Sequence, residues 1–250
     1  MRIVVCKASH EPGGPQRCSG DARAALERSL GAVAQLECRQ AALTRAVGLS
    51  GALGGVQDGP ALSLRQQYLI DAEALSPREA AARFARSVLA PGRAIIVDTE
   101  TVSMGGPICE IAVVDAHTGS PLLDTLVNPR CAITPAAQAV HGITEHEVSA
   151  PQVPTWVQVY EQFAQVAQGR VVLAYNADYD RQVVADDCRR YSLDAAGSAS
   201  DAGWWADVMA PRSDFMGAKR WLRNGGGHRA LGDVVQTRGH LLAMAAGSSA

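Results

Sequence analysis

The sequence of residues 95–100 is Ile-Ile-Val-Asp-Thr-Glu, which joins a run of β-branched residues to two carboxylates. The run predicts a buried strand. Because side chains along a strand alternate between its two faces, Asp98 and Glu100 are expected to point in the same direction. Two carboxylates on one side offer oxygen ligands suited to a hard cation such as Mg²⁺ or Mn²⁺. Two solvated charges at the exit of a strand would give the same letters.

Further apolar runs predict the sheet around this strand. Residues 108–114 and 122–127 are predicted as a second and a third strand, and their short connections favour an antiparallel meander. Further along the chain, predicted strands and helices alternate. The strands are predicted at 171–175 and near Trp204, and the helices at about 135–140, 152–168, 178–191 and from Ala230 onward. This order predicts an α/β fold with a mixed β-sheet flanked by helices.

The first 92 residues differ from the rest because Ala, Arg, Leu, Gln and Glu dominate them. Between residues 21 and 47 apolar residues recur at helical spacing, which predicts an amphipathic helix. Ser76, Pro77 and Glu79 together predict the start of another helix, with a capping box. We therefore expect residues 1–92 to form a helical N-terminal extension of unknown role. Residues 247–250 are expected to be a flexible tail.

The composition indicates a globular protein without a membrane segment. It is 47% hydrophobic and 19% charged, and no stretch approaches the roughly 20 apolar residues of a membrane span. The six cysteines form no C-x-x-C pair and have no His at zinc spacing, so neither a disulfide framework nor a structural zinc site is indicated. The net charge of −2 argues against a broad basic face for nucleic acid. We expect no membrane partner and a cytoplasmic location.

Two later segments carry further polar residues. Asp180 lies just after the strand predicted at 171–175, where it suits either a helix cap or a metal ligand. Three glycines at 225–227 lead to His228, and Asp233 follows it. Five residues of a helix turn through roughly 500°, so His228 must precede the helix if it shares a site with Asp233. The glycines predict a mobile loop, which suits a catalytic group that moves when substrate binds and equally suits an ordinary surface residue.

These segments together resemble the three motifs of the DEDDh (DnaQ-like) exonuclease superfamily, which includes the proofreading subunit of bacterial DNA polymerase III and ribonuclease T. The residues that carry the resemblance are Asp98-x-Glu100, Tyr175-Asn176-Ala177-x-Tyr179-Asp180 and His228-x-Ala230-x-x-Asp233. The resemblance implies a ribonuclease H-like fold, with residues 93–246 as the exonuclease domain. A tyrosine-dependent subclass would carry its base where this chain has Arg229, so the histidine subclass fits better. Tyr175 and Tyr179 replace other common family residues, and both remain aromatic.

The resemblance implies a 3′-to-5′ exonuclease that hydrolyses phosphodiester bonds from the 3′ end of DNA or RNA and releases nucleoside 5′-monophosphates. The implied cofactors are two divalent cations, Mg²⁺ or Mn²⁺. Asp98 would bridge both ions, and Glu100 and Asp233 would complete the site of the ion that activates water. Asp180 would help to anchor the second ion. His228 would accept the proton of the attacking water as general base.

The expected partners are single-stranded or frayed 3′ ends of DNA or RNA, with a possible protein partner for residues 1–92. The oligomeric state is left open. The residues expected to contact substrate are Thr99, Thr101, His141, Gly142, Ile143, Asn176 and Arg229. A glycine that ends one helix and a threonine that caps the next would explain the letters of 142–144 in purely structural terms.

Residues 211–229 carry a local excess of positive charge that we expect to contact substrate phosphates, with Trp221 as a stacking residue. The cationic residues are Arg212, Lys219, Arg220, Arg223 and Arg229, against Asp214 as the one acid. A solvated basic loop with Trp221 anchored in the core is the alternative interpretation. Asp207, which precedes this segment, is interpreted as an ordinary helix cap.

Two other functions fit the same sequence. A binding or scaffold protein could keep the exonuclease fold and hold nucleic acid without cleaving it, although all five polar residues of the motifs are present. A metal-dependent nucleotide phosphatase would cleave a phosphomonoester and leave oligonucleotides intact.

Overall fold

The computed structural model describes residues 60–194, 199 and 201–247. Five strands form one sheet in the order β3-β2-β1-β4-β5. The strands are β1 (Ala94–Thr101), β2 (Ile108–Asp115), β3 (Pro121–Leu126), β4 (Val171–Ala174) and β5 (Trp205–Asp207). The first three form an antiparallel meander, whereas β4 and β5 run parallel to β1. The predicted mixed sheet of a ribonuclease H-like fold is confirmed.

Helices cover both faces of this sheet. They are α1 (Pro60–Ala74), α2 (Pro77–Val88), α3 (Pro135–His141), α4 (Glu145–Val148), α5 (Trp156–Ala167), α6 (Ala177–Arg190), α7 (Met209–Phe215) and α8 (Ala230–Ala246), with a 3₁₀ turn at Ala202–Trp204. The capping box predicted at Ser76 is present, because its hydroxyl accepts from the Glu79 amide and the Glu79 carboxylate accepts from the Ser76 amide. The helix predicted between residues 21 and 47 lies outside the described residues.

Side-chain alternation along β1 divides the core into two layers. Ile95 and Val97 pack with Phe163 of α5 on one face. Ile96 packs with Leu241 of α8 on the other face. Asp98 and Glu100 continue the alternation of Ile96, and they therefore extend toward the α8 face. Thr99 and Thr101 face the side of α6.

Helices α1 and α2 fall within the predicted extension 1–92, and both contribute to the core layer that contains α8. Leu64, Phe84 and Val88 share this layer with Met244. The division of the chain at residue 92 stays a prediction, as does the flexible tail. Among the described residues, no helix combines the length and the apolar character that a membrane crossing requires.

Candidate active site

Three carboxylates meet where β1 approaches the first turn of α8. Asp98, Glu100 and Asp233 each present one oxygen, and these three atoms lie within 4.8 Å of one another. Asp98 and Glu100 are half-buried and Asp233 is buried. Asp233 follows the strand by more than 130 residues in the sequence. The fold brings it next to Asp98 and Glu100, with which only the order of the motifs had associated it.

Asp180 reaches the same end of β1 from the opposite side. It lies in the first turn of α6 and is buried. Its Oδ1 accepts hydrogen bonds from the amide of Thr99 at 3.0 Å and from the hydroxyl of Thr99 at 2.8 Å. Thr99, which was expected to contact substrate, is itself buried and holds the fourth carboxylate against β1.

Burial and repulsion from neighbouring carboxylates raise the pKa values of Asp98, Glu100 and Asp180. The pKa of Asp98 lies well above its ordinary range, first because of burial and then because of Asp180, Asp233 and Glu100. Burial followed by Asp233 and Glu110 raises the pKa of Glu100 to about 7. Burial raises the pKa of Asp180 to about 7, against the lowering effect of its bonds to Thr99. A bound cation would remove this penalty by favouring the ionised form.

The donor set fits a hard divalent cation. Carboxylate oxygens are the ligands that Mg²⁺ and Mn²⁺ prefer, and three of them already converge here. Burial, followed by repulsion from neighbouring acids, raises the pKa values of Asp98 and Glu100, and a divalent cation would favour their ionised forms. Asp98, Glu100 and Asp233 are therefore the residues that could hold such an ion.

The glycine-rich loop before α8 packs directly on Asp233. Asn224 Nδ2 donates to the backbone oxygen of Asp233 at 2.9 Å and to its Oδ1 at 3.0 Å. A Cβ added at Gly226 would lie 2.4 Å from that Oδ1 and 2.6 Å from the Asp233 Cα, so no larger residue fits. The neighbours Gly225 and Gly227 have φ angles of 87° and 95°, which favour glycine. The positive φ angles and the close approach of Gly226 to Asp233 therefore explain why these three residues are glycines. The mobility of the loop, which the sequence analysis expected from them, stays a prediction.

His228 lies in this loop, two residues before α8 begins, with an exposed side chain. The prediction that it precedes the helix is confirmed. Its backbone has a positive φ of 60°, which is uncommon for a residue with a side chain. Its role as a general base stays a prediction.

The residues of 141–144 have structural partners. Gly142 ends α3 with a φ of 74°, and Thr144 caps α4 through a capping box with Glu147. The structural interpretation of these letters is confirmed. His141 is buried and its Nδ1 accepts from the amide of Ile143, which is also buried. Contact of these residues with substrate stays a prediction.

The remaining expected contacts lie around the start of α6. Thr101 is buried and its hydroxyl lies 3.1 Å from that of Tyr179. Asn176 is the N-cap residue of α6, with a φ of 76°. The carboxylate of Asp207 accepts from the amides of Asn176 and Ala177, and also from the amide of Ala210 in α7. Asp207 is a helix cap as predicted, and it serves two helices.

Arg229 forms a fork-like ion pair with Glu110, a buried residue of β2 that the sequence analysis did not single out. Glu110 is the cross-strand partner of Glu100. A carboxylate inside the otherwise apolar strand Ile-Cys-Glu-Ile-Ala-Val-Val was the signal that could have indicated it. Asn224 was also missed, since no motif or periodicity marks it.

The basic segment 211–229 contains both engaged and exposed cations. Arg212 donates to the hydroxyl of Tyr175 and to the backbone oxygen of Arg223. The side chains of Lys219, Arg220 and Arg223 are exposed. Trp221 is 62% exposed, so the alternative in which it anchors the loop in the core is wrong.

Metal-free protein is expected to lose stability as pH rises from about 5 to about 8. The folded pKa values of Glu100 and Asp180 are raised to about 7, so between their unfolded values and pH 7 the folded state holds protons that the unfolded chain releases. The melting temperature in EDTA should therefore fall across this range, by about 2–4 °C per kcal/mol lost. Mn²⁺ or Mg²⁺ should restore it at the higher pH.

The double variant Asp98→Asn/Glu100→Gln is the control for this effect, because it removes two of the repelling charges. Its melting temperature in EDTA should vary less with pH than that of the wild type, and cations should stabilise it little. Circular dichroism measures both melting temperatures. An equal pH dependence of the melting temperature in the two proteins would show that these carboxylates do not cause the loss of stability.

Comparison with known proteins identifies the family. The exonuclease family model matches residues 95–237, more than half of the chain's 250 residues. An uncharacterized exonuclease of Escherichia phage 186 is 32% identical over 178 residues, covering 62% of this chain and 90% of that protein. Exodeoxyribonuclease 10 of Escherichia coli (strain K12) is 34% identical over 93 residues, which cover 36% of this chain and 40% of that protein.

Among solved structures, exonuclease X in complex with 5′ overhanging duplex DNA is similar over 62% of this chain and 93% of that one, with 27% identity and a TM-score of 0.47. The family match spans all three motif segments, from the strand of Asp98 and Glu100 to the helix of Asp233. The chain belongs to this exonuclease family.

Proposed function

We propose that the chain is a 3′-to-5′ exonuclease that uses two divalent cations to hydrolyse phosphodiester bonds and releases nucleoside 5′-monophosphates. The observation that carries the proposal is the convergence of the oxygens of Asp98, Glu100 and Asp233 within 4.8 Å. Membership of the exonuclease family supports the reaction class. The similarity to exodeoxyribonuclease 10 favours DNA over RNA as substrate.

Asp98, Glu100 and Asp233 would hold the cations, together with Asp180 on the other side of β1. Bound cations would lower the pKa of the attacking water and stabilise the leaving 3′ oxygen. Thr99 would keep Asp180 in place through its two hydrogen bonds. Asn224 would orient Asp233 in the same way.

His228 would accept the proton of the attacking water. Imidazole exchanges protons near neutral pH, which suits it to general-base catalysis. The exposed position of His228 leaves it accessible to a substrate that reaches the carboxylates from solvent. The loop that carries it packs on Asp233, which supports a shared site for the imidazole and the carboxylates.

The segment Lys219–Arg223 would bind the strand that leads to the scissile bond. Lys219, Arg220 and Arg223 present exposed cations for backbone phosphates. Trp221 lies among them with an exposed ring, on which a base could stack. This segment leads into the His228 loop, so a bound strand would be close to the catalytic residues.

Wild-type protein with Mg²⁺ or Mn²⁺ should shorten 5′-labelled single strands one nucleotide at a time, and EDTA should stop the reaction. Asp98→Ala should abolish cleavage because it removes one of the three converging carboxylates. His228→Ala should lower kcat by roughly 10²–10⁴-fold, the usual contribution of a general base. Gel analysis of DNA and RNA substrates measures rate, direction and sugar preference together.

The matched control is Asp178→Ala, which removes an acid of α6 whose side chain is 81% exposed. It should cleave at nearly the wild-type rate. Immediate release of the labelled 5′ nucleotide would contradict the direction, and undiminished cleavage by Asp98→Ala would contradict the mechanism. If the protein cleaved nucleotide phosphomonoesters and left oligonucleotides uncleaved, the result would favour the nucleotide phosphatase instead.

Trp221→Ala should raise KM for single strands about 5- to 150-fold, since stacking of one base contributes about 1–3 kcal/mol, while kcat stays near the wild-type value. Lys219→Gln/Arg220→Gln should make the affinity for single strands less sensitive to salt, by a slope of about 0.7 for each lost phosphate contact. Initial rates of cleavage at several substrate concentrations give KM and kcat, and fluorescence anisotropy of labelled oligonucleotides at several salt concentrations gives the salt slope. Arg189→Gln, which removes an exposed cation at the far end of α6, is the control and should change neither quantity. Unchanged KM and salt slope in the segment variants would exclude the segment from strand binding.

A further inference from the structure

Glu110 is a buried carboxylate that the proposed mechanism does not use. It lies in the interior of β2 with 4% of its surface exposed. Its neighbours on both sides of the chain, Cys109 and Ile111, are fully buried. A carboxylate in such surroundings requires strong partners, because an unpaired buried charge is very unfavourable.

Within the described part of the chain, its hydrogen-bond partners lie at the start of α8. Arg229 Nε donates to both oxygens of Glu110, at 3.0 and 3.1 Å, and Arg229 Nη2 donates to Oε1. The amide of Ala230, the first residue of α8, donates to Oε2 at 2.9 Å. Such fork-shaped, charge-assisted bonds fix both the distance and the orientation of the two groups. Glu110 also satisfies a free amide at a helix start, where negative charge is favourable.

A second anchor holds the other end of the loop. Asn224 is bonded to Asp233, to the hydroxyl of Thr237 and, through its backbone oxygen, to His240 Nε2. The four residues 225–228 therefore connect one anchor at Asn224 with another at Arg229. His228 is the last of the four and is joined to Arg229 by a single peptide bond.

The backbone of His228 needs such an anchor. Its φ of 60° lies in the left-handed region, which residues with a Cβ adopt only when their surroundings impose it. The bonds of Glu110 fix the following residue and the following amide, so they restrict the conformations that His228 can adopt. Without them, the end of the loop next to His228 would lose its side-chain anchor, while Asn224 and the packing of Gly226 on Asp233 would still hold the other end.

We propose that Glu110 is a positioning residue, which through Arg229 and the amide of Ala230 holds His228 in its catalytic place. This inference rests on the proposed function of His228 as general base. In this proposal Arg229 anchors the end of the loop 225–228 through its ion pair with Glu110. The sequence analysis had instead expected Arg229 to contact substrate. Glu110 itself touches neither substrate nor the reacting atoms.

The test combines kinetics with hydrogen–deuterium exchange on the full chain. Glu110→Gln keeps the size and one acceptor oxygen but removes the charge, and Arg229→Met removes the fork while leaving the amide bond. At saturating Mn²⁺, each should lower kcat by about 10- to 100-fold, as loss of a supporting partner commonly does, with KM changed by less than about threefold. In a His228→Ala background, Glu110→Gln should change kcat by less than about twofold, because the group it positions is absent.

Exchange provides a readout that does not depend on activity. Amides of residues 225–230 should exchange faster in Glu110→Gln, while those of α2 and α5 stay unchanged. The matched control is Glu79→Gln, which alters the exposed capping box at the start of α2 and should change neither exchange in the loop nor kcat.

Several results would overturn the inference. One is a kcat of Glu110→Gln within twofold of the wild-type value, and another is an equal loss of kcat in the His228→Ala background. A third is full recovery of kcat at Mn²⁺ concentrations above those that saturate the wild type, which would assign Glu110 to cation binding. Unchanged exchange over 225–230 would overturn it even if no substrate were cleaved. Absence of cleavage by the wild type would instead contradict the proposed function, and exchange would still decide whether Glu110 holds the loop.

Discussion

Repulsion among carboxylates at the end of β1 is the constraint on which the rest of the site depends. Asp98, Glu100 and Asp233 converge within 4.8 Å, and their charges together with burial raise the pKa values of Asp98 and Glu100. Such an arrangement persists only if the fold holds each group in place. Core packing against both faces of β1 provides that rigidity, because the strand that carries two of the acids is the centre of the sheet.

Two of the carboxylates are held by residues from other parts of the fold. Thr99 holds Asp180 from the α6 face of β1, and Asn224 holds Asp233 on the α8 face. Because the side chains of β1 alternate between the two faces of the sheet, the site receives residues from the helices on both faces. Supports of this kind fix the orientation of metal-binding groups and commonly matter nearly as much as the ligands themselves.

Local rules were sufficient to predict much of this arrangement. The β-branched run before Asp98 predicts a buried strand, and helical rotation places His228 before its helix. The Glu110–Arg229 pair and the role of Asn224 were not predicted, because they join residues that are distant in the chain or lack a periodic signal. Helix α1 was not individually predicted either, since its apolar residues form no one-sided stripe. Trp221 shows that an aromatic residue in a loop need not be anchored in the core.

Cation binding is the central claim, and direct titration tests it most simply. Mn²⁺ can be added to the wild type and to Asp98→Asn with a nucleoside 5′-monophosphate present, while free Mn²⁺ is followed by electron paramagnetic resonance. We expect saturable binding of two ions per chain in the wild type and a large loss of affinity in the variant. Equal binding by the two proteins, or no binding by either, would contradict a metal-dependent role for the carboxylates.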